Sequence, residues 1–463
     1  MAIIEAFSRV AKEESADRTA GRRDLQTALN NARPGDTVLL NPGRYVDPVI
    51  MTNGGTAAAP ITVRARDPKN TILDPGRSKR DGLAGGLDPM DGDWAMFKLF
   101  HVRYVRLIDL NFANCWPQAI YLRGVSDLVV RGSRITGSRF AIYARTSPRV
   151  STRRLLIEGV DWVQDPDHEM WKGDATWKEV KEQAALDKSW FNGALFGSYN
   201  IPGDVLIRGC DVSHAFNGVR MDMDERRVGT GAKPRINRNR NVRIIGNRFS
   251  FIRDNAIEPE VGARGWLVAD NQFAENHAVL SLDGVALREF NFIGNRILNR
   301  FRPGWIAKEK KIKNSGGKII KFLDDADYRK DQTAIRPARR FVTAFNSVRT
   351  RTRYLQDAAL KPWTDANNAV ERIDPAAPHD DRALFSDVIW RRIAPFAALA
   401  TDGDDYAKGQ SGPDRGDHPR MKRVFGKVKA PAKPKAAAPL GGWDGKLTLT
   451  KAAAAAPATA VKL

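Results

Sequence analysis

The chain has 463 residues and 42% hydrophobic content, enough for two or three ordinary domains or for one solenoid. It holds 75 Lys and Arg against 54 Asp and Glu, and the resulting +21 favours anionic partners, with nucleic acid and acidic polysaccharide equally good on charge alone. No apolar run approaches the ~20 residues that a membrane-spanning helix needs.

Residues 1–23 read as an N-terminal extension, and Glu5 and Arg9 place charge too early for a secretory leader. A removed leader would look the same, so the compartment stays open. The stretch from Asp24 to Ala32 predicts a short helix, with Asp24 as its N-cap and Leu25, Ala28, Leu29 and Ala32 on one face. Pro34 and Gly35 stop it, and Thr37–Leu40 starts a sheet. This helix is expected to cap one end of the fold, because an uncovered strand edge pairs with other chains.

From Tyr104 onward the sequence repeats. Segments starting at Tyr104, Leu128, Leu155, Val205, Val242, Trp266 and Phe290 each read as an alternating strand, a Gly/Asn/Asp turn and an apolar anchor. The anchors are Phe112, Ile135, Trp162, Val212, Phe249, Phe273 and Ile297, and Phe341–Val348 looks like a further copy. The shortest anchor spacings are 23 and 24 residues, and the longer ones contain inserts at about 163–190 and 224–240. A third insert spans about 300–338. A unit this small cannot bury its apolar face alone and must stack on its neighbours. Short strands without intervening helices exclude a doubly wound sheet, and the leucine spacing of leucine-rich repeats is absent. The expected fold is all-β, a right-handed parallel β-helix over residues 24–400. Asn247, Asn271 and Asn295 recur at one period, either as a ladder of amides or as residues that tolerate a left-handed turn. Cys115 and Cys210 fall about three coils, or roughly 14 Å, apart, too far for a disulfide. Both are expected to act as small buried hydrophobes.

Residues 401–463 are Gly/Asp-rich and then Lys/Ala/Pro-rich, and such composition supports no core and predicts a disordered tail. Residues 419–463 hold ten Lys and Arg and one acid, Asp444, leaving +12 on the rest of the chain. Nonspecific contact with a polyanion is what this tail could supply.

Each coil carries a further strand before the repeat segment, as in Ala119–Arg123, Ala141–Arg145, Ala194–Ser198, Gly218–Asp222, Ala256–Glu260 and Ala278–Leu282. Alternation turns Ile120, Ile142, Leu195, Val219, Ile257 and Val279 inward. Outward columns then contain Tyr121, Tyr143, Phe196, Arg220 and Glu258, beside Arg123, Arg145, Ser198, Asp222 and Glu260. Tyr121, Tyr143 and Phe196 would stack sugar rings, and Arg123 and Arg145 would contact carboxylates or sulfates. The inserts around His168 and after Asp222 would wall a groove. Asp222, Glu258 and Glu260 on neighbouring rungs would raise one another's pKa unless an arginine or a hard cation compensates them.

The segment Leu25–Tyr45, with Pro34-Gly35-Asp36-Thr37-Val38 and Asn41-Pro42-Gly43-Arg44-Tyr45, followed by Gly55–Ala65, resembles the start of chondroitinase-B-type and alginate-lyase-type β-helix polysaccharide lyases. Similar openings occur on many bacterial β-helix proteins of unassigned role. The resemblance covers roughly residues 24–300. It implies a monomeric, periplasmic or secreted protein acting on acidic polysaccharide. It also implies that Glu258-Pro259-Glu260, with Asp222, holds Ca²⁺ to neutralise a uronate. Arg220 and Arg264 would then contact the substrate carboxylate, and His168 or a loop lysine would handle protons. This chain departs from the family where a catalytic lysine and a next-rung arginine belong: only Arg264 follows Glu260, one position off, and Leu280–Asp283 offers no arginine. Asp165-Pro166-Asp167-His168 is similar to the Asp-Pro-His-Asp motif of β-helix mannuronan epimerases, with one extra residue. Two functions therefore stand side by side, a uronate-polymer lyase and a non-catalytic glycan-binding or surface-structural β-helix.

Overall fold

The computed structural model describes residues 2–8, 24–79, 94–148, 150–168, 191–223, 239–260, 262–282, 286–299, 318–321, 339–350, 353–355, 363–366 and 368–372. The expected disordered tail and most of the three inserts lie outside these residues. The chain is an all-β parallel β-helix whose coils each place one strand in three parallel sheets. The described residues divide into two compact units, the first comprising those up to Val205 with Cys210–Arg220, the second Leu206–Gly209 and those from Met221 on.

In the first unit, the first sheet runs Ile3–Ala6, Thr37–Leu40, Ile61–Ala65, Arg103–Ile108, Ser126–Arg131, Arg153–Glu158. The strand Ile3–Ala6 extends this sheet from within the stretch read as an extension, pairing in parallel with Thr37–Leu40. The helix Leu25–Asn31 forms as expected: Asp24 accepts a hydrogen bond from Thr27 N at 2.7 Å, satisfying a donor that a helix start leaves free. Leu25, Ala28 and Leu29 are buried beneath it.

The second sheet carries the anchors. Phe112, Ile135, Trp162 and Val212 pair in one column of the first unit, and Phe249, Phe273, Ile297 and Val348 in one column of the second. All eight are buried. Phe249 and Phe273 stack at 5.3 Å between ring centroids, so the anchors form a continuous interior row. Both cysteines are free and buried.

In the second unit the asparagines form a ladder. Asn247 donates from Nδ2 to Asn271 Oδ1 at 2.9 Å, Asn271 to Asn295 at 3.0 Å, Asn295 to Asn346 at 3.0 Å and Asn346 to Asn368 at 2.8 Å. Each Nδ2 also donates to a carbonyl, as Asn271 does to Ile244 O at 2.9 Å. The left-handed residue of these turns is the one before the asparagine: Gly246, Asp270, Gly294 and Phe345. The asparagines are there for their amides.

Candidate functional site

The third sheet of the first unit supplies the outward face. Its strands Val49–Met51, Phe97–Phe100, Gln118–Arg123, Phe140–Arg145 and Phe196–Tyr199 pair in that order. Ile120 and Ile142 point inward and are buried, as alternation requires. Tyr121 and Tyr143 pair in register and stack at 6.3 Å with an interplanar angle of 17°.

The register at the next strand corrects the sequence reading. Phe196, expected outward beside Tyr143, pairs instead with Ile142 and is fully buried; the residue opposite Tyr143 is Gly197. The cause is space. A Cβ at Gly197 would lie 2.4 Å from Phe140 Cε1 and 2.9 Å from Tyr143 Cδ2, so these two rings fill the volume a side chain would need. A similar shift of one place occurs in the second unit, where Ile257 pairs with Leu280 rather than with Val279, the residue read as its inward neighbour.

Tyr121 and Tyr143 leave the coil outward, yet each is only 2% exposed. With Ala95, Phe140 and Ala194 they form a second apolar layer over the sheet, edged by the half-buried Phe100 and Tyr199. They are not open stacking platforms. The accessible column is the next one along: Phe100, Arg123, Arg145 and Tyr199 pair across four consecutive strands. Arg123 is exposed, and the Arg145 guanidinium lies 5.4 Å from the centre of the Tyr199 ring. Phe100 and Tyr199 were missed in the sequence. Phe100 sits on a strand outside the aligned set, and Tyr199 was hidden by the shifted register.

His168 belongs to a separate cluster in the same unit. Asp165 N donates to His214 O and His168 N to Asp165 O, both at 3.0 Å, so Asp165 is tied to the next coil beyond the strand end at Val163 and a turn leads from it to His168. The imidazoles of His168 and His214 stack at 3.6 Å and 8°. Burial, and the neighbouring His168, push the His214 pKa down to about 4, so this ring is neutral in ordinary buffers. Lys79 Nζ lies 3.0 Å from the fully buried Asp165 carboxylate and 3.3 Å from Asp167. Residues 79 and 165 are too far apart in sequence for spacing to join them.

The remaining candidates lie on other strands. Arg220 is half-buried on Val219–Asp222. In the second unit Asp222 Oδ1 accepts from Met223 N at 2.7 Å, and Glu258 accepts from Asn255 Nδ2 at 2.8 Å. Glu260 N donates to Met221 O, which sets Asp222 and Glu260 on neighbouring rungs. Arg264 is on Gly262–Ala269, a first-sheet strand, and so turns away from the third-sheet face that carries Glu258. Arg220 and Arg264 thus stand on strands of different sheets, and neither strand is the second-sheet stack beside which His168 lies. Among the described residues no three His, Cys, Asp or Glu side chains come together as a metal cage. Asp222 Oδ1 accepts from Met223 N and Glu258 from Asn255 Nδ2, and among the described residues the two are not brought together with Glu260 as a calcium cage requires.

The fold and this face define a parallel β-helix with a basic and aromatic strip along one sheet. Its fold is similar to that of a pectate lyase, at 12% identity over 82% of each chain with a TM-score of 0.42. It is also similar to a mannuronic acid specific family 6 polysaccharide lyase from human gut microbiota, at 12% identity over 80% of this chain and 83% of that one, TM-score 0.37. An endo-xylogalacturonan hydrolase from Aspergillus tubingensis matches at 9% identity over 78% and 92%, TM-score 0.42. No family model and no curated protein matches the chain. No helix among the described residues is long and apolar enough to cross a membrane.

Proposed function

We propose that this protein binds a linear, uronate-containing polysaccharide along the third-sheet face of its first unit. The observation that carries this reading is the Phe100–Arg123–Arg145–Tyr199 column, four side chains in register at roughly 4.8 Å per rung. The guanidinium fork of an arginine donates two parallel hydrogen bonds to a carboxylate, and the flanking rings offer apolar faces to the sugar. Tyr121 and Tyr143 form the packed floor that holds these side chains outward. The polymer runs along the coil axis, crossing one strand per subsite.

A second reading, elimination across the uronate, is favoured by the Lys79–Asp165 pair beside the stacked imidazoles. In that reaction a base removes the proton next to the carboxylate, the 4-O bond breaks, and the departing oxygen takes up a proton. His168 is the exposed base of this cluster, and Lys79 is the cation that steadies the carboxylate. Calcium has no part in either reading.

The test is calorimetric titration with oligouronates, followed by absorbance at the unsaturated-uronate band during incubation with alginate, pectate and glycosaminoglycans. Arg123→Ala with Arg145→Ala is expected to weaken binding at least tenfold at unchanged melting temperature. Equal affinity in the double variant would overturn the reading. An absorbance rise that is lost on His168→Ala adds elimination to binding.

A further inference from the structure

A second row of arginines stands on a different sheet. In the second unit the first-sheet strands Arg240–Ile245, Gly262–Ala269, Ala286–Ile293 and Arg339–Ala344 stack consecutively. Their register pairs Arg240 with Arg264, Arg264 with Arg288 and Arg288 with Arg339. Four cationic residues therefore occupy one column, one per coil, at roughly 4.8 Å intervals.

The fold does not require this. At the same column in the first unit, Ser126 separates Arg103 from Arg153. Like charges directly opposed across a strand pair are destabilising. Elsewhere in the second unit arginines are balanced by an acid on the adjoining coil, Arg296 by Asp270 at 3.1 Å and Arg349 by Glu371 at 3.3 Å. The column is not balanced in this way: Arg240 is exposed, Arg264 is half-buried, and neither side chain has an acidic or hydrogen-bonding partner among the described residues. The residue after each of the first three, Asn241, Gly265 and Glu289, adopts a left-handed backbone. That repeated kink returns the backbone of these three arginines to the same place on the coil.

We propose that Arg240 and Arg264, at the head of this column, form a second track for a linear uronan, distinct from the third-sheet strip. The spacing selects the ligand. An extended uronan presents one carboxylate per sugar ring, and a ring is close to one rung in length, so neighbouring carboxylates meet the Arg240 and Arg264 guanidinium forks. Duplex DNA steps its phosphates at about 3.4 Å per strand and would fall out of phase. Single strands bind where aromatic rings interleave with the cations, and this column has none. The inference goes beyond the proposed function, adding a site on another sheet for the same class of polymer.

The experiment is titration of the full chain with oligogalacturonates of increasing length and, in parallel, with a single-stranded DNA oligomer of equal charge. Arg240→Ala with Arg264→Ala is expected to remove one of two classes of oligouronate site and lower affinity there at least tenfold, with the melting temperature unchanged or raised. Arg123→Ala with Arg145→Ala is expected to remove the other class. Unchanged stoichiometry and affinity in the Arg240/Arg264 variant overturns the second track and leaves the third-sheet strip standing. A parent chain that binds the DNA oligomer more tightly than the uronate, with that preference lost in the Arg240/Arg264 variant, overturns the uronan assignment in favour of nucleic acid.

Discussion

Gly197 holds the outer layer of the first unit in place by having no side chain. The Phe140 and Tyr143 rings occupy the volume in front of it, so Gly197→Ala must displace two aromatic groups from a packed layer. Overpacking of this kind costs about 1–3 kcal/mol, and a drop in denaturation midpoint at unchanged m-value would show it. Tyr121→Ala with Tyr143→Ala is expected to cost more, roughly 3–5 kcal/mol per ring, because both rings are buried despite facing outward. That variant therefore cannot separate binding from folding, whereas Arg123 and Arg145 can. His214 gives a pH signature. Its pKa falls from 6.5 to about 4 on folding, so the unfolded chain takes up a proton that the folded chain refuses. This contribution to stability is whole above pH 6.5, declines as pH falls, and is gone once pH passes below about 4. Thermal melts between pH 7 and 4 are expected to flatten in His214→Asn; an unchanged slope would contradict the burial assigned to this ring.

At the scale of the element, the sequence exposes what repeats and hides what an insert resets. The anchor column and the inward Ile120 and Ile142 were legible, because a period of 23 or 24 residues returns each to the same place on the coil; the same period brought the asparagines together but left a ladder and a left-handed turn as equal alternatives. Phe196 was not, since the insert before it removes the count, and a run of Ala, Leu and Phe fits two registers equally well. The glycine after it was the signal. Lys79 with Asp165 joins residues 86 positions apart, which no periodicity can link. The arginine column lay just ahead of Val242, Trp266 and Phe290, where the repeat was first recognised. The ladder itself can be tested. Asn271 accepts from Asn247 N and Nδ2 and donates to Ile244 O and Asn295 Oδ1, all buried. Asn271→Ala strands several of these groups, at about 1–3 kcal/mol each, so a loss of several kcal/mol is expected. Asn271→Asp should do no better, because a carboxylate cannot donate to either oxygen.

At the scale of the whole molecule the question is which positive charge does the binding. Of the +21, the segment 419–463 carries +9, so nearly half of the excess lies outside the coils described above. Charge carried by a Lys/Ala/Pro-rich sequence without a repeat attracts any polyanion and is screened within about 10 Å at 0.1 M salt. Arginines held one per rung face a ligand at fixed spacing, and part of their affinity comes from paired hydrogen bonds that screening leaves in place. The two sources therefore separate by salt and by ligand. Removing residues 419–463 is expected to leave oligouronate affinity at moderate salt within about twofold, since that change corresponds to only ~0.4 kcal/mol, while reducing the retention of duplex DNA at low salt. Loss of oligouronate binding on truncation, with Arg123→Ala, Arg145→Ala, Arg240→Ala and Arg264→Ala silent in the parent, would place recognition in the tail and reduce both arginine columns to surface charge. The opposite result, a truncated chain that keeps its length-dependent preference for uronate and loses it with the arginines, follows if a repeating fold reads a repeating polymer by matching one rung to one sugar.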